Sequence, residues 1–482
     1  MQYKYVALSV TTVGTLMAGV DTRIVLVGMP TIAAQLKASV GEVIWVSQAY
    51  IFASTLGMLL IGRTTDLVGR VKIYNYGFAV FTVGSALAAL SFSPLELIVS
   101  RMVQGVGASM LIINSGSILT DATPKQELGT ILGINSIAFR MGSVIGLTLS
   151  GVILSLADWR ALFYINIPIG IFGTIWAHYR LKEIATKDTY TGVDWVGFIT
   201  FASGLGLLLL SITYLSYGIA GYEIGFGMLA AGVVLLIAFT FIELRQQHKK
   251  VQPILDPKLF KIREFAGGSL AQMINAIAWS GVVILASFYL QLVAGYGPFQ
   301  TGIRLLALDA GFITVGPLAG RLSDKYGSRG FTMAGLAISS IAFLIFSFVN
   351  PSSGVNTVMI GLGILGVGSG LWVSPNISSV MGSVPPNRRG IASGFRMTLS
   401  NIGDTASFGL AILIMTFSIP YTTLNNLVQS YSNQTAISPI AKEEFVLGFQ
   451  VVAIVLAAIN TIAIIPASFN RKRSARVAEI VK

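Results

Sequence analysis

Gly62-Arg63-Thr64-Thr65-Asp66-Leu67-Val68-Gly69-Arg70 is followed, some 250 residues later, by Gly320-Arg321-Leu322-Ser323-Asp324-Lys325-Tyr326-Gly327-Ser328-Arg329. Both stretches read Gly-Arg-x-x-Asp-x-x-Gly and then Arg. Each comes directly after a long apolar run. A charged, glycine-bearing loop repeated at matching places in a hydrophobic chain predicts two copies of one helical unit inserted in the same orientation.

The rest of the chain fits that reading. Of its 482 residues 54% are apolar and only 11% charged, with a mean hydropathy of +0.76. A soluble domain carries about 25% charged residues. This composition excludes a disordered chain and an ordinary soluble enzyme. There is no cysteine, so disulfides, thiolate metal sites and cysteine nucleophiles are excluded together. The two histidines, His178 and His248, stand apart and make no metal site.

A membrane-crossing helix needs about 20 mostly apolar residues. Fourteen stretches qualify: 6–28, 43–61, 73–92, 95–119, 129–154, 161–179, 195–217, 223–243, 266–292, 299–319, 331–349, 355–380, 391–416 and 446–468. The first is too long for a signal peptide and carries Asp21 and Arg23, so it is expected to be retained. Spans one to six form one repeat and nine to fourteen the other, with seven and eight inserted between them. The expected units are residues 1–190, an insertion at 191–245, a linker at 246–265, and a second bundle with its tail at 266–482. The expected fold class is therefore all-α and integral to the membrane.

The net charge of +12 would suggest nucleic acid in a soluble protein. Here 24 of the 32 Lys and Arg fall on one side of the predicted spans and three, Lys37, Arg160 and Lys442, on the other. The positive-inside rule then puts both termini in the cytoplasm, with the basic loops facing anionic lipid headgroups, and no nucleic-acid partner is expected. The segment 417–445 falls outside. It is polar and holds a formal sequon at Asn433-Gln434-Thr435, to which no role is assigned.

Within the repeated loop, Asp66 and Arg70 are four apart, so a helical turn would set them side by side. Gly62, Gly69, Gly320 and Gly327 permit tight turns. Together with Asp324 and Arg329 these residues form a candidate conformational latch between the two bundles.

These features resemble the major facilitator superfamily, and within it the fourteen-helix drug:proton antiporter group, over essentially the whole chain. Leu97-Ile-Val-Ser-Arg101-Met-Val-Gln104-Gly105-Val-Gly107 resembles the fourth-helix motif, and the resemblance implies a role for Arg101 in proton coupling. Val20-Asp21-Thr22-Arg23-Ile24-Val25, closing at Pro30, resembles the first-helix motif. Trp159-Arg160-Ala-Leu-Phe163-Tyr-Ile-Asn166-Ile-Pro168-Ile-Gly170 resembles the start of the sixth helix, and Leu255-Asp256-Pro-Lys-Leu259-Phe260 the lead-in to the ninth. The sequence departs from the pattern in the fifth helix, where Leu147 replaces a proline and Ser150 a glycine. Arg23 stands where a small polar residue is usual. Arg396, Asp404 and Asp309 replace asparagine, glycine and proline.

An ionisable residue inside a span costs about 2.5–3.5 kcal/mol to insert and is functional by default. Asp21, Arg101, Gln104, Arg140, Asp309, Arg396 and Asp404 are the candidate cavity and proton-coupling residues. Asp21 and Arg23 are about 200° apart on a helix and cannot face the same cavity. Arg23 and Arg304, nearer the outer ends, are expected to snorkel. Gly142, Gly146 and Ser150, with Gly151, form a small-residue packing face, from which Arg140 points away toward a central cavity. Gly361-Leu-Gly363-Ile-Leu-Gly366 is formally a dinucleotide fingerprint, but no strand precedes it, and helix packing accounts for it. The chain has no phosphate-binding Gly-x-x-x-x-Gly-Lys-[Ser/Thr] loop and no cofactor is expected. The expected function is secondary transport, proton-coupled efflux of amphipathic small molecules by a monomer in the plasma membrane. Uptake or exchange of an anionic metabolite is the alternative, and a transport-dead receptor or membrane enzyme a third.

Overall fold

The computed structural model describes residues 2–124, 127–184, 194–246, 257–352, 354–385, 389–432 and 437–470. Its first half comprises α1 (Tyr3–Leu36), α2 (Val40–Val68), α3 (Arg70–Ala89), α4 (Pro94–Ala122), α5 (Leu128–Leu156), α6 (Ala161–Tyr164) and α7 (Asn166–Arg180). Two helices follow, α8 (Trp195–Ser216) and α9 (Ile219–Gln246). The second half comprises α10 (Arg263–Phe288), α11 (Pro298–Tyr326), α12 (Ser328–Phe346), α13 (Gly354–Gly382), α14 (Arg389–Met415), α15 (Tyr421–Ser432), α16 (Pro439–Ile462) and α17 (Ile464–Ala467). No strand occurs among the described residues.

Thirteen spans among the described residues are long and apolar enough to cross a bilayer. In this count α6 and α7 make one span, and α16 and α17 another. The fourteenth is α3. Its 20 residues reach about 30 Å at 1.5 Å per residue. Lys72, Tyr74, Asn75 and Tyr76 dilute its apolarity, and it packs against α4 and α7. The protein is a fourteen-helix, multi-pass membrane bundle.

Local chemistry explains where the helices begin and end. Ser39 and Glu42 form a reciprocal capping box on α2, and Ser93 caps α4 ahead of Pro94. Gly69 ends α2 at φ 118°, and Gly327 ends α11 at φ 92°. Both lie in a left-handed region that L side chains rarely enter. The helical turn expected to join Asp66 to Arg70 is therefore broken at Gly69, and the two residues belong to different helices. Pro466 divides the last span, because it supplies no N–H and crowds the preceding turn.

The sequence pattern missed one element. The segment expected to be a polar external loop folds into α15, whose Leu424, Leu427 and Val428 are buried. Twelve residues with one apolar stripe do not register as a span.

Close approach of α1 and α5 decides how the first half packs. A side chain at Gly142 would strike the carbonyl of Leu16, and one at Gly146 the carbonyl of Val20. Ser150 is fully buried on the same helix. Gly151 faces elsewhere: its side-chain direction meets Phe299 Cα at 2.7 Å and Pro298 O at 2.9 Å, on α11 of the other half. The inserted α8 and α9 pack on each other, with the rings of Phe201 and Phe239 5.1 Å apart, and α8 also touches α2 and α14.

The halves are sealed at the end opposite the repeated loops. Pro30 has no N–H for the carbonyl of Leu26, four residues back in α1. Ser287 of α10 donates to that carbonyl at 3.5 Å, and Gln291 to the carbonyl of Val27 at 3.1 Å. Gln291 lies in a π turn, Tyr289–Val293, that continues α10, and Tyr431 of α15 donates to its side-chain oxygen. The first-turn amides of α2, which no helix can satisfy internally, donate to α15: Val40 N to Asn425 at 3.2 Å and Gly41 N to Tyr421 at 3.0 Å. Gln429 donates to the carbonyl of Ala38 at 3.0 Å. Toward the loop end, by contrast, a methyl group added at Gly133 of α5 or Gly394 of α14 would meet nothing within 4 Å among the described residues.

Candidate functional site

Two charged assemblies lie in the interior. The first is enclosed within the first half. Asp21 on α1 is fully buried, and three donors satisfy it: Arg101 at 2.5 Å, Gln104 at 2.8 Å and Asn166 at 3.0 Å. Arg101, 1% exposed, also donates to the carbonyl of Val46 and lies over the ring of Tyr50 at 4.2 Å. Gln104 donates onward to Ser85. An ion pair this deep stands only when its remaining polar atoms are satisfied, as they are here. Asp21, Arg101 and Gln104 are three of the seven candidate cavity residues, and the structure brings them together. Asn166, quoted only within the sixth-helix motif, was not singled out, because a lone asparagine carries no charge signal.

The second assembly lies between the halves. Arg23 donates to both oxygens of Asp309, at 3.0 and 3.3 Å, and stands 4.9 Å from the ring centre of Trp279. The expected snorkelling of Arg23 is thus overturned: a carboxylate of α11 is nearer than the membrane surface. Its opposition to Asp21 on α1 places one residue in the bundle and the other in the gap. Arg140 points away from the packing glycines, is exposed, and lies over the ring of Phe312 of α11 at 4.3 Å. Arg23, Arg396 and Asp309 are all within electrostatic reach of it. Asp404 accepts from Ser280 at 2.5 Å and also feels Arg23. Gln272 and Ser400 bond to each other across α10 and α14. Arg304 stays near the far end, donating to the carbonyl of Gln300 with its guanidinium over Tyr296. Trp279, Ser280 and Phe312 were not foreseen, since an aromatic or serine in a span has no distinctive pattern.

The repeated loops differ from each other. The side chains of Gly62 and Asp66 lie outside the described residues. Arg70 reaches Asp121 at 2.6 Å, and the carboxylate of Glu183 accepts from the backbone N–H of Arg70 and Val71, each at 3.0 Å, capping α3. In the second copy Asp324 is exposed, and neither it nor Arg329 forms an ion pair among the described residues. Among those residues no cluster of His, Cys, Asp and Glu could hold a metal.

Fourteen spans with charged side chains facing each other across the two halves fit a membrane transporter rather than an enzyme. The family model of the Major Facilitator Superfamily matches residues 11–194 and 195–408, and the chain belongs to that superfamily. It is 30% identical over 439 residues to the riboflavin transporter RibZ of Clostridioides difficile, covering 91% of this chain and 93% of that one. It is 28% identical over 407 residues to the multidrug resistance protein Stp of Mycobacterium tuberculosis, covering 83% and 74%. Its fold resembles that of a bacterial homologue of the human lysosomal transporter Spinster, solved inward-facing and unoccupied. The TM-score is 0.67 at 15% identity, over 98% of this chain and 99% of that one.

Proposed function

We propose that this transporter is proton-coupled and exports small amphipathic molecules across the plasma membrane by alternating access. The observation that carries the reading is the ion pair between Arg23 and Asp309, which ties α1 of one half to α11 of the other inside the gap. A proton on Asp309 cancels that attraction, and loss of the proton restores it. Proton occupancy thereby biases how the halves sit, which is what coupling requires. Asp21, sealed beside Arg101, serves as a second proton site that opens only when the halves rearrange.

Both termini and the repeated loops are read as cytoplasmic from the skew of Lys and Arg. The sealed end then faces outward, and the arrangement described is open to the cytoplasm. The resistance protein among the relatives favours export. The latch reading extends to the loops: in the first, Arg70 and Asp121 tie α3 to α4 within one half, and in the second, Asp324, in no ion pair among the described residues, engages in the opposite arrangement.

Proteoliposomes with an imposed pH gradient test the coupling. Substrate should accumulate against its gradient only when the pH difference is present. Accumulation that ignores the pH difference would overturn proton coupling. Reporter fusions at residues 187, 255 and 482 should read cytoplasmic, and one near 430 external. Opposite readings at 187 and 255 would break the fourteen-span topology.

A further inference from the structure

Arg140, exposed in the gap, and Arg396, half-buried, are cations without a counter-charge among the described residues. Arg23 and Arg101 each take an aspartate, but neither Arg140 nor Arg396 forms an ion pair among the described residues. They stand on opposite halves, on α5 and α14, with the charge of Arg396 within electrostatic reach of Arg140. Arg396 is half-buried, and its Nε is fully buried without an acceptor. Arg140 has only the ring of Phe312 beneath it. The other charges facing Arg140 are Arg23 and Asp309, already bonded to each other. Asp404, two turns from Arg396 on α14, is held by Ser280, with Arg23 as its charged neighbour. Three arginines against two aspartates leave the gap one positive charge in excess, and protonation of either aspartate raises the excess.

A buried guanidinium donor without an acceptor, with a second like charge in reach, is a cost that a structural role does not explain. We propose that Arg140 and Arg396 together bind the carboxylate of an aromatic organic anion, and that this anion is the transported substrate. The inference rests on the transporter reading above and gives its site a substrate class. Guanidinium forks match carboxylate geometry in two-point contacts that a lysine cannot reproduce. Trp279 and Phe312, both half-buried beside these arginines' neighbours, offer ring faces for the aromatic body. Because the two arginines come from different halves, one carboxylate between them replaces repulsion by attraction. Binding therefore draws the loop ends of α5 and α14 together.

The test uses the full chain in lipid nanodiscs, with 2-naphthoate and its neutral counterpart 2-naphthamide as probes. Without ligand, Arg140→Gln and Arg396→Gln should each unfold at or above the wild-type midpoint, since each removes an uncompensated charge. With 2-naphthoate the wild-type midpoint should rise by several degrees. The rise should be absent with 2-naphthamide, lost in both variants and kept in Arg304→Gln. A lowered midpoint in both ligand-free variants, no wild-type response to 2-naphthoate, or an equal response to the amide would overturn the proposal. Transport is read separately in proteoliposomes. Gradient-driven movement of a cationic dye that survives both substitutions would remove the anion site and leave proton-coupled export standing. No gradient-driven movement of either probe or of the dye would remove proton coupling, and the thermal shifts would still decide the anion site.

Discussion

Arg23 Nη1 lies 3.0 Å from Asp309 Oδ1 and 3.3 Å from Oδ2, so one guanidinium nitrogen of the first half is shared by both oxygens of a carboxylate in the second. Asp309→Asn removes the charge and keeps the shape. Breaking one partner of a buried pair costs about 3–5 kcal/mol, and this pair, 17% and 10% exposed at its side chains, should fall toward or below the low end. Transport should drop at least tenfold. The exchange Arg23→Asp with Asp309→Arg should recover part of it. A double variant no better than the singles would mean that the attraction itself is not what matters.

Asp21 makes a different prediction because it is enclosed. Asp21→Asn keeps an acceptor for Gln104 or Asn166, and Arg101 retains Gln104 and the carbonyl of Val46. Folding should survive, while uphill transport driven by a pH gradient stops and exchange at equal pH continues. Measuring midpoint and transport on the same preparation separates the cases. Loss of stability with coupling intact would make the cluster structural.

On α5 the two kinds of small residue should part company. Gly146→Ala forces a methyl against a backbone carbonyl of α1 that cannot step aside, so the midpoint should fall by several degrees. Ser150→Ala should be neutral or slightly stabilising. The serine hydroxyl is buried without a partner among the described residues, and its removal relieves a desolvated polar group. Thermal unfolding of both variants is the measurement, and equal losses would contradict this packing.

Fourteen spans, the repeated loop and the interior charges were all legible in the sequence, for physical reasons. Apolar length is dictated by the bilayer, and a charge among apolar residues advertises its cost. Partners were not legible. Nothing local to Arg23 points to Asp309, 286 residues away, and the expectation that it would snorkel followed from its depth alone. The break at Gly69 was hidden because the same residues also fit a continuous helix. The α15 helix was hidden because its stripe is shorter than a span.

The second loop offers a further check. Asp324 is exposed and unpaired among the described residues, so Asp324→Asn should leave the unfolding midpoint unchanged within error. If it closes the latch in the opposite arrangement, transport should slow several-fold with substrate binding intact. The chain has no native cysteine, so a single label at Ser136→Cys, exposed on α5 one turn from Gly133, reports access to the loop end of the gap. Identical labelling and identical transport in Asp324→Asn would confine the loop to a turn.

The seal at the end opposite the repeated loops pairs side chains with main-chain groups that helix geometry itself leaves over: the carbonyl below Pro30 and the first amides of α2. Substitution can delete a side-chain donor or acceptor such as Gln429 or Asn425, but no replacement of Leu26 removes its carbonyl, and only proline would remove the N–H of Val40 or Gly41. Substitution can therefore open this closure only through the side-chain partners, Ser287, Gln291, Tyr421, Asn425 and Gln429, or through a proline in the first turn of α2. In the gap side chain meets side chain, as Arg23 meets Asp309 and Ser280 meets Asp404, so a substitution there can remove either partner of a bond.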